Sequence, residues 1–209
     1  MHRICIVNSE ESQYNHEESE MRQMDETKAR QRRTALTRRH SMTPRQREKA
    51  SAVICRKLLE LPDFGRAKVI MSYAAMPDEP DLSQVHEWLW QQGKTLAFPV
   101  TEGEGSMYAV STSRDTPWRS GRYGIREPMG EVLTPASIDL VIAPCVAFDR
   151  NCHRLGHGSG YYDRFLTKCP QATCVVAAFA VQCLDEVSTD DFDRSADIVV
   201  TEDNIYENQ

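Results

Sequence analysis

A chain of 209 residues that is 40% hydrophobic and 27% charged, with a net charge of −6, is long enough for one substantial core and fits one domain better than two. No stretch approaches the roughly 20 apolar residues that span a bilayer, the first residues lack the apolar centre of a signal peptide, and the acidic balance argues against a protein built wholly around nucleic acid. The seven cysteines are odd in number and form no C-x-x-C pair, so scattered thiols in a reducing cytoplasm are expected instead of a disulfide framework.

Residues 1–24 are rich in Glu, Ser, Asn and Gln with little periodic apolar content, and read as a flexible tail or extension before a domain over 25–209. From Lys28 to Lys57 the charge reverses: Lys28, Arg30, Arg32, Arg33, Arg38, Arg39, Arg45, Arg47, Lys49, Arg56 and Lys57 face only Glu48. Two helices fit this stretch. The first, over about 25–38, sets Lys28 and Arg32 one turn apart, where like charges repel unless an anion offsets them. A solvated basic face is the plainer reading of the same run. The second opens at Thr43-Pro44-Arg45-Gln46, which supplies an N-cap, a proline at the first helical position and a capping-box glutamine. Ala50, Val53, Ile54, Leu58 and Leu61 then share one face.

Beyond Leu61 the pattern alternates between strand and helix. Strands are expected over 67–73, 95–100, 107–110, 140–143, 174–180 and 198–201, and a helix from an Asp81-Leu82-Ser83-Gln84 capping box to about Gln92, stopped by Gly93. Short apolar strands separated by helical segments imply a three-layer α/β/α fold with a mostly parallel central sheet, preceded by the basic helices. Residues 101–105 and 111–121 read as loops lying over a cleft. Such sheets bind ligands beyond the carboxyl ends of their strands, here in the loop after Ala143.

That loop contains Arg154-Leu155-Gly156-His157-Gly158-Ser159-Gly160-Tyr161-Tyr162-Asp163. Glycines at alternate positions let the main chain reach positive φ and let a ligand touch it, so that successive N–H groups cradle phosphate oxygens. The run is neither a P-loop nor a Rossmann fingerprint. On spacing alone, a tight strand-to-helix turn accounts for it too. His153 and His157 have no acid partner implied by spacing and receive no proton-transfer role.

The segment 139–166, with Pro144, Val146-Ala147-Phe148-Asp149 and the glycine-tyrosine run, resembles the signature of the 5-formyltetrahydrofolate cyclo-ligases, or methenyltetrahydrofolate synthetases. Lys28 and Arg32, Tyr73 through Glu79, Phe98-Pro99, Met107, Gly124-Ile125-Arg126-Glu127-Pro128, Gln182, Asp193, Asp197 and Thr201-Glu202 follow in the family's order, so the resemblance covers about residues 25–206. It implies a cytoplasmic enzyme that uses ATP and Mg²⁺ to phosphorylate the formyl oxygen of 5-formyltetrahydrofolate, closes the ring through N10, and releases 5,10-methenyltetrahydrofolate, ADP and phosphate. Small molecules are its implied partners, with no membrane or nucleic acid, and a monomer is favoured.

Residue by residue, the resemblance assigns Lys28, Arg32, Arg154, Gly156, His157, Gly158, Ser159, Gly160, Tyr161 and Asp163 to the nucleotide, and Asp163, then Asp193, to magnesium. Glu79, Met107, Tyr123 and Tyr162 go to the folate, and Arg154 and Tyr162 to catalysis. Spacing alone would make each aspartate a cap, turn or salt-bridge residue, and each tyrosine a core residue. Ser159 stands where relatives often carry glycine or lysine, Ser188 where proline is usual, Phe192 where polar or aromatic residues are common, and Gln31 where leucine is common, a change expected to affect packing only. The rival readings are a noncatalytic nucleotide- or RNA-binding module, and an ATP-dependent ligase or kinase for another small substrate. Sparse aromatic residues in the basic run, and the retained ligand loop, count against the first rival.

Overall fold

The computed structural model describes residues 4–103, 105–121 and 124–208, with side chains described from residue 21 onward. No glycine or proline occurs before Pro44, so nothing in the sequence breaks a helix early. Helix α1 accordingly runs over Ile4–His40, covering most of the segment expected as a tail as well as the first basic helix. Helix α2 (Pro44–Glu60) begins as its sequence dictates: the Thr43 hydroxyl accepts from the Gln46 N–H at 3.3 Å, and Gln46 Oε1 accepts from the Thr43 N–H at 2.7 Å. It buries Ala50, Ser51, Ile54, Cys55 and Leu58, while Val53 stays half-buried. A short α3 (Pro62–Arg66) leads to the first strand.

In chain order the remaining elements are β1 (Val69–Met71), α4 (Ser83–Gln91), β2 (Thr95–Glu102), β3 (Ser106–Thr112), β4 (Trp118–Ser120), β5 (Arg126–Pro128), β6 (Val132–Leu133), β7 (Leu140–Ala143), β8 (Ala147–Phe148), β9 (Arg154–Leu155), α5 (Tyr161–Leu166), β10 (Thr173–Ala177), β11 (Ile198–Val200) and β12 (Ile205–Glu207). Eight strands form one sheet in the order β12-β11-β10-β7-β1-β2-β3-β6. Its centre, from β2 through β1, β7 and β10 to β11, is parallel, and antiparallel strands close both edges.

Period-two alternation splits the sheet residues between two apolar layers. Ile70, Leu96, Leu140, Ile142, Val175, Ala177, Ile198 and Val200 face α2, α3 and α4. Met71, Ala97, Val141, Ala143, Cys174, Val176 and Val199 lie in the layer that contains Phe165 and Leu166 of α5. Helices thus cover both faces of a mostly parallel sheet, as the alternating pattern predicts. The chain leaves β1 through α4 towards β2 and leaves the adjacent β7 through α5 towards β10, on opposite faces. The strand order therefore reverses between β1 and β7, and the crevice beyond their carboxyl ends is where such sheets hold ligands.

Local differences from the sequence expectation have simple causes. The N-cap of α4 is Leu82 with no side-chain cap bond; Asp81 instead accepts from the Ser83 N–H at 2.9 Å, so no capping box with Gln84 forms. Residues 101–102 extend β2 and 111–112 extend β3, because the two strands pair from Leu96↔Thr112 to Glu102↔Ser106. Trp118–Ser120 is a strand that pairs with β5, where loop was expected. Removing the α2 cap with Thr43→Ala is expected to lower stability by about 1 kcal/mol. A denaturant titration with unchanged slope and a lower midpoint would show this.

Candidate active site

Two loops meet at the switch point. After β7 the chain makes the β8–β9 hairpin and then the glycine run. Asp149 organises the hairpin: Oδ1 accepts from the Asn151 and His153 N–H groups at 2.9 and 3.1 Å, while Oδ2 accepts from the Val187 N–H at 2.9 Å and pairs with His153 Nδ1 at 2.8 Å. His153 therefore does have an acid partner, four residues earlier, and the completely buried Asp149 ties the hairpin to the 187 segment.

Within the run, backbone strain is relieved at Gly158 (φ +104°) and Gly160 (φ +62°). A Cβ on Gly160 would lie 2.8 Å from an Arg164 guanidinium nitrogen. Gly156 does not need positive φ; its carbonyl accepts from Arg32 Nε at 2.9 Å. Arg164 fixes the run from outside, donating to the carbonyls of Ser159 and, at 2.6 Å, Gly105 at the β2–β3 tip. The Tyr161 hydroxyl adds a bond to the Gly103 carbonyl at 3.2 Å.

One face of α1 supplies the cations. Lys28, Arg32, Ala35 and Arg39 recur at i, i+4, i+7 and i+11, which places them in a line along the helix. Lys28 Nζ donates to Asp190 Oδ2 at 2.7 Å and Asp193 Oδ2 at 2.5 Å. Burial alone would lower the Lys28 pKa, but these hydrogen bonds and charges outweigh it and raise it. Arg32 holds the glycine run, and Ala35 packs against Val146, Ala147, Leu155 and Val187. Arg39, only 1% exposed, pairs with Asp78 at 2.7 Å and reaches Glu79 Oε1 at 3.8 Å. Burial would raise the Asp78 carboxyl, yet the Arg39 charge and hydrogen bond, with a contribution from His40, hold it below the usual range. The sequence reading counted Arg39 only as one of a basic run; its signal was the helical register it shares with Lys28 and Arg32.

Glu79, in the turn after β1, accepts from the Met76 N–H through Oε2 at 3.0 Å, and its Oε1 lies 3.8 Å from His157 Nε2. Sequence spacing had offered His157 no acid either; the fold supplies one from another loop. Arg154 is buried and bonded to Asp163 Oδ1, which also accepts from the Arg194 N–H at 3.2 Å. The Asp163 position and the loop carrying Asp193 are thereby joined. The Tyr162 hydroxyl and the Nε atoms of Arg154 and Arg39 are buried without a hydrogen-bond partner among the described residues. Burial, followed by the Glu79 charge, pushes the Tyr162 hydroxyl well above its usual range. Cys145 beside them is pushed up to about 12 by burial despite Arg154 and Arg39, so it supplies no thiolate.

Met107 is buried in the α5-side core, against which Tyr161 and Tyr162 pack. Tyr123 lies outside the described residues. Among the described residues no group of three His, Cys, Asp or Glu side chains is arranged to hold a metal. Asp163 and Asp193 each use one carboxylate oxygen for the protein contacts given above, leaving Asp163 Oδ2 and Asp193 Oδ1 without a protein partner among the described residues. One or two carboxylates suit Mg²⁺, which takes its remaining ligands from phosphate and water.

Residues 24–202 match the model of the 5-formyltetrahydrofolate cyclo-ligase family. The chain belongs to this family. The 5-formyltetrahydrofolate cyclo-ligase of Haemophilus influenzae is 30% identical over 166 residues, spanning 77% of this chain and 89% of that one. The Escherichia coli K12 enzyme is 26% identical over 177 residues, spanning 81% and 97%. A solved structure of Aquifex aeolicus 5,10-methenyltetrahydrofolate synthetase superposes with a TM-score of 0.77 at 30% identity, over 86% of this chain and 92% of that chain.

Two departures from the cyclo-ligase pattern prove to be one feature. Gln31 Oε1 accepts from the Ser188 N–H at 3.1 Å, and Gln31 Nε2 donates to the Glu186 carbonyl at 2.9 Å. Proline at 188 would have no N–H to give, and leucine at 31 nothing to receive it. The change at 31 is therefore polar as well as steric. Gln31→Leu and Ser188→Pro are each expected to cost about 0.5–1.5 kcal/mol. The double variant should cost less than their sum by at least about 0.5 kcal/mol, as a thermodynamic cycle by chemical denaturation would show.

Proposed function

We propose that this cyclo-ligase binds ATP with Mg²⁺ on the 156–160 loop and 5-formyltetrahydrofolate against the Glu79 turn, and couples phosphoryl transfer to ring closure. The observation that supports this most directly is the convergence, beyond adjacent strands, of a glycine loop bordered by Arg32, Arg154 and Asp163 with a buried carboxylate at Glu79.

In this reading the formyl oxygen forms a bond to the γ-phosphorus as the bridging P–O bond to ADP breaks. N10 then attacks the formyl carbon, loses its proton, and expels phosphate to leave the methenyl bridge. A poor leaving group becomes a good one, and no covalent enzyme intermediate is needed, in keeping with a Cys145 thiol held protonated. Positioning and charge carry such a transfer. The main-chain N–H groups of the loop hold the phosphates, and Arg32 and Arg154 place positive charge beside them. Asp163 and Asp193 would hold Mg²⁺, whose chemistry is to neutralise charge on the phosphate oxygens. Glu79 accepts from the pterin N–H groups, with Met107 and the Tyr162 ring bordering the folate, and the Tyr162 hydroxyl donates towards the reacting oxygen.

The RNA-binding rival loses support from the burial of Lys28 and Arg39, which are turned inward onto carboxylates instead of outward to a polyanion. Absorbance-monitored formation of 5,10-methenyltetrahydrofolate should require ATP and Mg²⁺ together. Asp163→Asn should lower turnover on the order of 10²-fold and raise the Mg²⁺ concentration needed. Turnover without nucleotide, or an Asp163→Asn variant of full activity, would contradict the assignment.

A further inference from the structure

We propose that Arg39 is a positioning residue that fixes Glu79 for recognition of the folate's pterin ring, an inference that rests on Glu79 being the folate-binding acid. Arg39 is the bulkiest of the fully buried side chains. A guanidinium out of water is retained only where carboxylates or carbonyls meet it. Here its fork divides. One terminal nitrogen pairs with Asp78 Oδ2 at 2.7 Å; the other donates to the Cys145 carbonyl at 3.4 Å and faces Glu79 Oε1 at 3.8 Å. Arg39 therefore connects the turn after β1 to the loop after β7, the two strands between which the sheet order reverses.

The effect on Glu79 follows from its two oxygens. Oε2 is committed to its own turn through the Met76 N–H. Oε1 stands between Arg39 and His157 at 3.8 Å from each, beyond the 2.7–2.9 Å of a charge-assisted hydrogen bond. It is thus held by charge without being consumed, and keeps its lone pairs for a ligand. A pterin presents adjacent amino and ring N–H donors, and two donors on a rigid ring gain from a carboxylate fixed in advance. Arg39 makes no hydrogen bond or ion pair to the glycine run or to the nucleotide-side aspartates among the described residues, so its influence belongs to the folate half of the site.

The test uses the full chain with Arg39→Met, Arg39→Lys and Asp78→Asn. It measures kcat, KM for 5-formyltetrahydrofolate, KM for ATP, calorimetric binding of 5-formyltetrahydrofolate without ATP, and melting temperature. Arg39→Met should raise the folate KM and dissociation constant by about tenfold or more while the ATP KM moves less than about twofold. Arg39→Lys, which keeps the charge but not the fork, should recover part of the loss. If Arg39→Met does not fold, Asp78→Asn, which removes only the outer partner, should still raise the folate KM by about threefold or more with the ATP KM unmoved. Unchanged folate constants in the folded variants, or equal rises in both KM values, would overturn the role of Arg39 while the wild-type reaction stands. A wild-type chain that neither binds nor converts the folate would overturn the proposed reaction, and the inference with it.

Discussion

The buried cationic face of α1 is the constraint on which the site depends. Lys28, Arg32 and Arg39 project from one face of a single helix, and each ends on a different segment: the 190–193 loop, the glycine run and the acidic turn after β1. None of these segments is regular structure, and each would be free to move if the sheet alone held it. Taking Lys28 and Arg39 out of water is unfavourable unless carboxylates and carbonyls come to meet them. That requirement sets the loops at fixed positions relative to the helix and so to one another. Ala35 between them closes the gap with apolar contact to Val146, Ala147, Leu155 and Val187.

The sheet contributes the place, and the helix face the assembly. Reversal of strand order between β1 and β7 opens a crevice at their carboxyl ends, with α4 on one side of the sheet and α5 on the other. Into that crevice come Glu79 from the first strand's turn and the glycine run from the second. Arg164 and Tyr161 then bind the β2–β3 tip to the run through the carbonyls of Gly105 and Gly103. The buried Tyr162 hydroxyl and Arg154 Nε, without a hydrogen-bond partner among the described residues, are costly to leave unsatisfied.

Much of this was legible beforehand because its signals are local. The α2 capping box, the parallel-sheet strands, the placement of the glycine run after β7 and the family signature all depend on short-range pattern. What the sequence hid was pairing at a distance. Arg39 meets Asp78, Gln31 meets Ser188 and Lys28 meets Asp193 across separations that no periodicity reports. His157 has its carboxylate at a distance too, in the Glu79 turn, whereas the partner of His153 is local, Asp149 four residues earlier, and meets it only when the hairpin turn closes. The early start of α1 and the missing capping box of α4 are propensity effects, where absence of a breaker outweighed composition and where Asp81 bonded one residue sooner than expected.

The central claim is that each cation of α1 holds the loop it faces, and amide hydrogen exchange in charge-removing variants tests it most directly. Lys28→Met should speed exchange in residues 188–194, Arg32→Met in 156–160 and Arg39→Met in 76–79, each with the strands β1, β7 and β10 unchanged, since local opening is set by local contacts. Uniform acceleration throughout the domain, or no change in the loop facing each substituted cation, would contradict the account.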